Sequence, residues 1–218
     1  MAKKELEQRA YNFEIRAEKD DVRGCYIEGK PIVYESKTDI GGYFCEVIHK
    51  GALDKADLRD VRFLVNHDLS KIPLARSRRN NENSTMQLKV VNDGMNIRVN
   101  LDTENNADAR ALYSAVERGD ISGMSFMFGV SDEEWEGLDT EYPTRHINGI
   151  SDVLEVSAVT FPAYEDTEIN ARDRKALDNA KATLDNVRQN KPDGLTDADK
   201  SDKQLELWKA KNQILGGF

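Results

Sequence analysis

Apolar and polar residues alternate in several short runs of the chain, which is the pattern of half-buried β-strands. Strand-like runs are predicted at residues 11–15, 24–34, 43–48, 61–67, 86–91, 95–101, 121–130, 145–147 and 152–161. The turn sequence Asn92-Asp93-Gly94 predicts a hairpin between two of these runs. The chain is therefore expected to be rich in antiparallel strands.

Only residues 103–118 have strong helical spacing, with Leu112, Ala115 and Val116 on one apolar stripe, Thr103 as a cap and Gly119 after the end. Because few strands alternate with helices, a doubly wound parallel sheet is disfavoured. The predicted class is α+β, mainly β, with a mixed or mostly antiparallel, barrel-like sheet and helices outside it.

The predicted domain organisation has three parts. Residues 1–8 are charged and are expected to form a mobile arm, and residues 9–172 hold most strand-like runs and form the main domain. Residues 173–218 carry a sparse apolar stripe that includes Leu177, Leu184 and Trp208, interrupted near Pro192. This tail is predicted to be helical or disordered.

Composition excludes some classes of function. The net charge is -9 and the sequence pI about 5.0, which argues against nucleic acid as a partner, since phosphate binding requires a basic patch. No signal peptide, no apolar run long enough for a bilayer and no phosphate-binding glycine loop is found, so we expect an intracellular protein without membrane contact or cofactor. The three histidines are widely separated and no Cys/His cluster exists, so no metal is expected.

Three strands carry a reactive side chain among core residues. Ser125 lies on the opposite face from Met124, Phe126 and Phe128, since side chains alternate along a strand. His67 ends the apolar row of residues 61–67, and Glu155 interrupts an otherwise apolar strand. A serine, a histidine and an acid are the components of a nucleophilic serine hydrolase, because the hydroxyl needs a base and the base needs an orienting partner.

Alternatives exist for each position. Ser122 and Ser157 compete with Ser125, although Ser157 shares a face with Glu155 and suits a supporting hydroxyl. Asp68 is a poor partner for His67, since adjacent strand residues face opposite ways. A carboxylate in an apolar strand needs a partner, and Glu155 has His67, Arg145 and Arg98 as candidates. His146 is the alternative third member, because histidine can also orient histidine.

Four segments, in order, resemble motifs of the prohead proteases of tailed bacteriophages. These are Glu46-Val47-Ile48 with Lys50-Gly51-Ala52-Leu53, then Val65-Asn66-His67-Asp68, Arg118 to Phe128 (RGDISGMSFMF) and Val153 to Ala163 (VLEVSAVTFPA). Each motif alone is weak, and the series of four is fairly specific. The resemblance spans about Gly24 to Arg172 and leaves out the arm and the tail.

The resemblance implies a serine protease with the fold of herpesvirus assemblin, a closed or partly closed β-barrel surrounded by helices. It implies Ser125 as nucleophile and His67 as base, with Glu155 ahead of His146 as the third member. It also implies action in the host cytoplasm, within the assembling prohead, on the major capsid protein and its scaffold segment. Self-cleavage, with the tail after about Arg172 as the segment removed, and self-association as a dimer are further expectations. The alternative is a non-enzymatic scaffold or capsid-assembly protein on the same fold.

Overall fold

A computed structural model describes residues 6–11, 15–21, 24–160, 175–183 and 185. Its described elements comprise eleven strands and one long helix. The strands are β1 Glu7–Tyr11, β2 Ile15–Asp20, β3 Gly24–Val33, β4 Lys37–Ile40, β5 Phe44–Ile48, β6 Asp60–Val65, β7 Ala75–Arg78, β8 Met86–Val91, β9 Gly94–Asn100, β10 Gly123–Glu136 and β11 Thr144–Val159. The helix α1 is Ala107–Glu117.

The described strands form two sheets. The larger has seven strands, with the path β1-β10-β11-β5-β4, and β6 and β7 branch from it through β11. The smaller sheet has four strands in the order β2-β3-β9-β8 and contains the predicted hairpin of β8 and β9. The mainly β class predicted from the alternating pattern is confirmed.

The strands β10 and β11 form a long antiparallel hairpin at the centre of the larger sheet. Residues 132–136, which lie beyond the predicted run 121–130, continue β10, and the runs predicted separately at 145–147 and 152–161 belong to β11. Ser125 lies opposite Ser157 in this hairpin, with several register shifts farther along. Cross-strand pairing thus overrides the weak strand propensity of acidic residues.

Two strands share one edge of β11. Residues 144–147 of β11 pair in parallel with β5, and residues 155–158 pair in parallel with β6. The end of β6 therefore lies beside Ser157 and Ala158. This branch brings the residues that follow β6 close to the middle of the sheet.

A large apolar core supports these strands. Its fully buried side chains include Phe63, Phe126, Phe128, Met124 and Val156. The helix α1 adds Ala109, Leu112 and Val116 to the core, in keeping with the predicted stripe. It begins later than predicted because Asn106, not Thr103, caps it: the Asn106 side chain accepts hydrogen bonds from the backbone N–H groups of residues 108 and 109.

The predicted barrel surrounded by helices is wrong. In the described part of the chain, the strands at the ends of each sheet do not pair with each other, so neither sheet closes. A barrel requires such closure. Besides α1, helical structure is described only at residues 175–183 and 185, which does not surround the sheets.

The predicted arm and tail differ from the structure at their inner ends. Glu7 and Gln8 belong to β1, which pairs along its length with β10, because the main-chain groups at the edge of β10 offer a ladder. Leu177, placed in the tail, is buried against Ile40 and Phe44. The chain divides into the compact units Met1–Ala180 and Lys181–Phe218, and the predicted helix near Trp208 lies outside the described residues. No helix in the described ranges is long and apolar enough to cross a membrane.

Candidate active site

A tight turn after β6 positions His67. The strand ends at Val65, and Asn66 and His67 take positive φ values of 52° and 56°. Two successive non-glycine residues in the left-handed region cost free energy and need support. Asn66 supplies it: its side chain donates to Thr160 Oγ1 at 3.0 Å and accepts from the Thr160 backbone N–H at 2.9 Å. The turn is thereby attached to the end of β11.

Ser125, His67 and Glu155 lie in one hydrogen-bonded chain. His67 Nε2 is 2.6 Å from Ser125 Oγ, and His67 Nδ1 is bonded to Glu155 Oε1. Ser125 and Glu155 come from neighbouring strands, β10 and β11, and His67 reaches both from the turn after β6. The arrangement can take a proton from the serine hydroxyl at one end of the imidazole and stabilise the resulting charge from the other.

Ser157 holds the acid and the histidine backbone in place. Its hydroxyl donates to Glu155 Oε2 at 2.7 Å and accepts from the His67 backbone N–H at 3.1 Å. Glu155 is 1% exposed and Ser157 is fully buried. Both carboxylate oxygens of Glu155 thus have partners, which a buried carboxylate requires.

The strand β1 covers the serine. It pairs antiparallel with β10, with Ala10 opposite Ser125 and Arg9 opposite Phe126. The Ser125 hydroxyl donates to the carbonyl oxygen of Arg9 at 2.7 Å, and Ser125 is fully buried. The carbonyl of the peptide bond between Arg9 and Ala10 therefore lies beside the serine oxygen.

A charged cluster surrounds the side chain of Arg9. Arg9 donates from Nε to Glu46 Oε1 at 2.5 Å and from Nη2 to Glu46 Oε2 at 2.6 Å. Arg145 donates to Glu7 through Nη1 at 2.6 Å and Nη2 at 2.7 Å, and to Glu46 Oε2 at 3.2 Å. Arg145 also bonds Glu133. Two residues of β1 thus pair with charges on β5 and β11.

The cluster shifts the pKa values of its members. Burial by itself would raise the pKa of Glu7, but the hydrogen bond from Arg145 and the charges of Arg9 and Arg145 outweigh it and lower that pKa. Burial opposes the charge of Arg145, yet hydrogen bonding to Glu7 and the charges of Glu7 and Glu46 raise its pKa. Both groups are therefore ionised near neutral pH.

The other predicted candidates lie elsewhere. His146 Nδ1 is 2.9 Å from His49 Nε2, and His146 Nε2 is 3.3 Å from Glu136 Oε2. His67 is not among the described partners of His146. Ser122 is exposed and precedes β10. Arg98 pairs with Asp20 and Glu28, away from Glu155. Among the described residues, no group of three or more His, Cys, Asp or Glu side chains could hold a metal ion.

Comparison with known protein families shows which family the chain belongs to. The sequence profile described as caudovirus prohead serine protease matches residues 11–182. The chain belongs to this family. The resemblance carried by the four motifs is therefore confirmed, and the chain is a peptidase of the group that matures phage capsids.

A search of curated proteins gives no match. Among solved structures, the bacteriophage T4 capsid assembly protease matches with 16% identity over 72% of this chain and 99% of that chain, at a TM-score of 0.36. The family match extends from residue 11, so β1 lies almost entirely before it.

Sequence reasoning assigned no role to Arg9, Glu7 or Glu46, although Glu46 stands in the first of the four motifs. Arg9 and Glu7 stand in or beside the segment that polarity marked as an arm, and only strand pairing brings them to the site. Glu46 gave a signal that was available: a carboxylate between Cys45 and Val47 in an apolar strand needs a partner, as Glu155 does.

Proposed function

We propose that this prohead protease is a serine endopeptidase in which Ser125 is the nucleophile, His67 the general base and Glu155 the residue that orients and stabilises His67. The hydrogen-bonded chain from Ser125 through His67 to Glu155, with a peptide carbonyl at its open end, carries the proposal. Glu155 is preferred over His146 as third member because it bonds His67 Nδ1, whereas His146 bonds His49.

The proposed reaction follows the usual acyl-transfer sequence. Ser125 Oγ has one proton, which turns from the bound carbonyl oxygen toward His67 Nε2. Oγ adds to the carbonyl carbon as Nε2 takes the proton, and the imidazolium is stabilised by Glu155. His67 then gives the proton to the leaving amine, the peptide C–N bond breaks, and water releases the acyl group by the same steps in reverse order.

We propose that β1 occupies the position of a substrate strand. It adds to the free edge of β10 with regular antiparallel pairing, as extended peptides do when they bind to a sheet edge. The hydrogen bond between Ser125 and the Arg9 carbonyl supports the bond between Arg9 and Ala10 as the proposed site of self-cleavage. Until that bond is cut, β1 excludes other substrates, so release of residues 1–9 opens the enzyme.

The proposed targets after opening are the major capsid protein and its scaffold segment, inside the assembling prohead in the host cytoplasm. Membership of the prohead protease family supports this choice of partner. Confinement in a shell supplies a high local concentration of substrate, so an extended, weakly folded segment would be cut first.

One experiment tests these proposals together. Wild type and Ser125→Ala are each expressed alone and with the major capsid protein of the same phage, and all products are measured by intact-mass spectrometry. We expect wild type to lose residues 1–9 and to shorten the capsid protein, and Ser125→Ala to do neither. Full-length products in both, with a native circular dichroism spectrum, would contradict the proposal and favour a non-enzymatic assembly protein.

A further inference from the structure

We propose that Glu46 and Arg145 form a charge-reading site that selects the substrate sequence. Glu46 would select a basic residue on the acyl side of the cleaved bond, and Arg145 an acidic residue two positions before it. The inference rests on the proposed function, in which β1 stands in for substrate, and adds to it the class of peptide that is cut.

The first half of the site is the pairing of Arg9 with Glu46. Arg9 contributes the carbonyl beside Ser125, so its side chain marks the position that immediately precedes the cleaved bond. That side chain is almost fully buried and meets Glu46 through two parallel N–H···O bonds of 2.5 and 2.6 Å. Such paired bonds match the planar guanidinium to the carboxylate and are specific in geometry as well as charge.

Glu46 belongs to the enzyme body and remains when β1 leaves. With β1 in place it is 1% exposed on β5, and Arg9 and Arg145 take the place of water around its charge. With β1 withdrawn it would lose both bonds from Arg9 and retain the bond from Arg145, at 3.2 Å. Glu46 then has one arginine partner in place of two, and a substrate arginine or lysine restores the second pair.

The wall of the site also suits a cation. The guanidinium carbon of Arg9 lies 5.8 Å from the ring centroid of Phe128, within the range of a cation–π contact. Phe128 is fully buried on β10, so the ring is held in place by the core. A neutral or acidic side chain at this position would gain neither the ion pair with Glu46 nor the cation–π contact with Phe128.

The second half of the site is the pairing of Glu7 with Arg145. Alternate residues of a strand share one face, so Glu7 and Arg9 both face the cluster. Arg145 meets Glu7 through bonds of 2.6 and 2.7 Å and is itself fixed by Glu133 on β10 and Glu46 on β5. The body of the enzyme thus presents one buried cation and one buried anion at the spacing of Glu7 and Arg9.

The cluster is unlike an ordinary structural ion network in one respect. Arg9 and Glu7, which complete it, come from the strand whose removal the proposed function requires. A network needed only for stability would fail when β1 is cut away, whereas a recognition site would be refilled by each substrate.

The test measures kcat/KM for synthetic peptides with the sequence Leu-Glu-Gln-Arg-Ala-Tyr of residues 6–11 and its variants. The arginine is replaced by Lys, Gln or Glu, the single glutamate by Gln, and the neighbouring glutamine by Ala as a control. The enzyme is expressed as the full chain and purified after it has processed itself, with Ser125→Ala as the blank. Truncating one partner of a buried charge pair typically lowers binding by about 30-fold or more.

At the arginine position, we expect peptides with Arg or Lys to have a kcat/KM about 30-fold or more above that of the peptide with Gln. The peptide with Glu at this position should have the lowest kcat/KM. The peptide whose glutamate is replaced by Gln should also have a lower kcat/KM than the parent. The control peptide, whose glutamine is replaced by Ala, should have a kcat/KM within about threefold of the parent. In Glu46→Gln, the ratio of kcat/KM for the arginine peptide to kcat/KM for the peptide with glutamine in its place should fall to about threefold or less.

The outcomes separate the two proposals. Ser125-dependent cleavage that is equal for the Arg, Gln and Glu peptides would overturn the charge-reading site and leave the protease intact. Cleavage of no peptide, with residues 1–9 retained, would overturn both. If Glu46→Gln does not fold, as judged by circular dichroism, the kcat/KM values of the peptide series on the wild-type enzyme still test the charge-reading site.

Discussion

Replacement of Glu155 by glutamine is the most informative change in the proposed mechanism. Glutamine has nearly the same shape as glutamate and removes only the charge. Its amide oxygen can accept from His67 Nδ1, and its amide NH₂ can donate to the Ser157 hydroxyl, which has lone pairs to accept it. The imidazole should therefore keep its orientation in this variant.

The rate of hydrolysis should then fall only because the attraction between the carboxylate and the imidazolium is lost. Two unit charges about 4 Å apart interact by roughly 4 kcal/mol at an effective dielectric constant of about 20. Since each 1.36 kcal/mol corresponds to about a tenfold change in rate, the loss should not exceed about 1000-fold. We expect kcat/KM to fall by about 100- to 1000-fold, with less loss than for Ser125→Ala.

The assay is Ser125-dependent hydrolysis of the peptide that copies residues 6–11, measured across pH. Ser157→Ala is the matched control, because it removes one bond to Glu155 and keeps the charge; we expect a loss of about tenfold or less. His146→Ala should stay within about twofold of wild type. A fully active Glu155→Gln beside an inactive His146→Ala would refute the assignment and give the third role to His146.

Three further predictions concern the nucleophile, the bound strand and the tail. Combining Ser125→Ala with His67→Ala should lower the rate of peptide hydrolysis no further than either change alone, since both act in one proton transfer. In Ser125→Ala, the protection factors of the β1 amide hydrogens, which are corrected for the intrinsic exchange rate at each pH, should fall as the pH drops below the ordinary carboxyl value of 4.5: Glu7 has a lowered pKa when β1 is bound, so its contribution to docking is complete above 4.5 and is lost as the pH drops through that lowered value. Leu177→Ala should lower the free energy of unfolding by about 2–3 kcal/mol in thermal or denaturant melts, because its side chain is buried against Phe44.

Distinct results would contradict each of the three. A double variant that is markedly slower than both single variants would place the serine and histidine in separate steps. If the protection factors of the β1 amide hydrogens are constant between pH 6 and 3, or change equally in Glu7→Gln, then ionisation of Glu7 does not control the docking of β1. Unchanged stability in Leu177→Ala would show that the packing of Leu177 against Phe44 does not stabilise the folded domain.

Much of the fold was predictable because local patterns record burial. Alternation of apolar and polar residues predicted most strands, and Asn92-Asp93-Gly94 predicted the hairpin of β8 and β9, since its turn requires a residue at positive φ. The helix was predicted from its apolar stripe. Sheet closure was not predictable, because it depends on which edges pair across long sequence separations, and periodicity contains no information on that choice.

The candidate site divides in the same way. The residue pattern shows that Ser125, His67 and Glu155 interrupt apolar strands, and each needs a partner because a polar group in such surroundings must have one. Which partners they have depends on how the strands pair: parallel pairing of β6 with β11 brings His67 to Glu155, and antiparallel pairing of β10 with β11 brings Ser125 to the same imidazole. The role of β1 was beyond sequence reasoning, since a short charged segment forms a strand here only because a free sheet edge and a buried pair of opposite charges receive it.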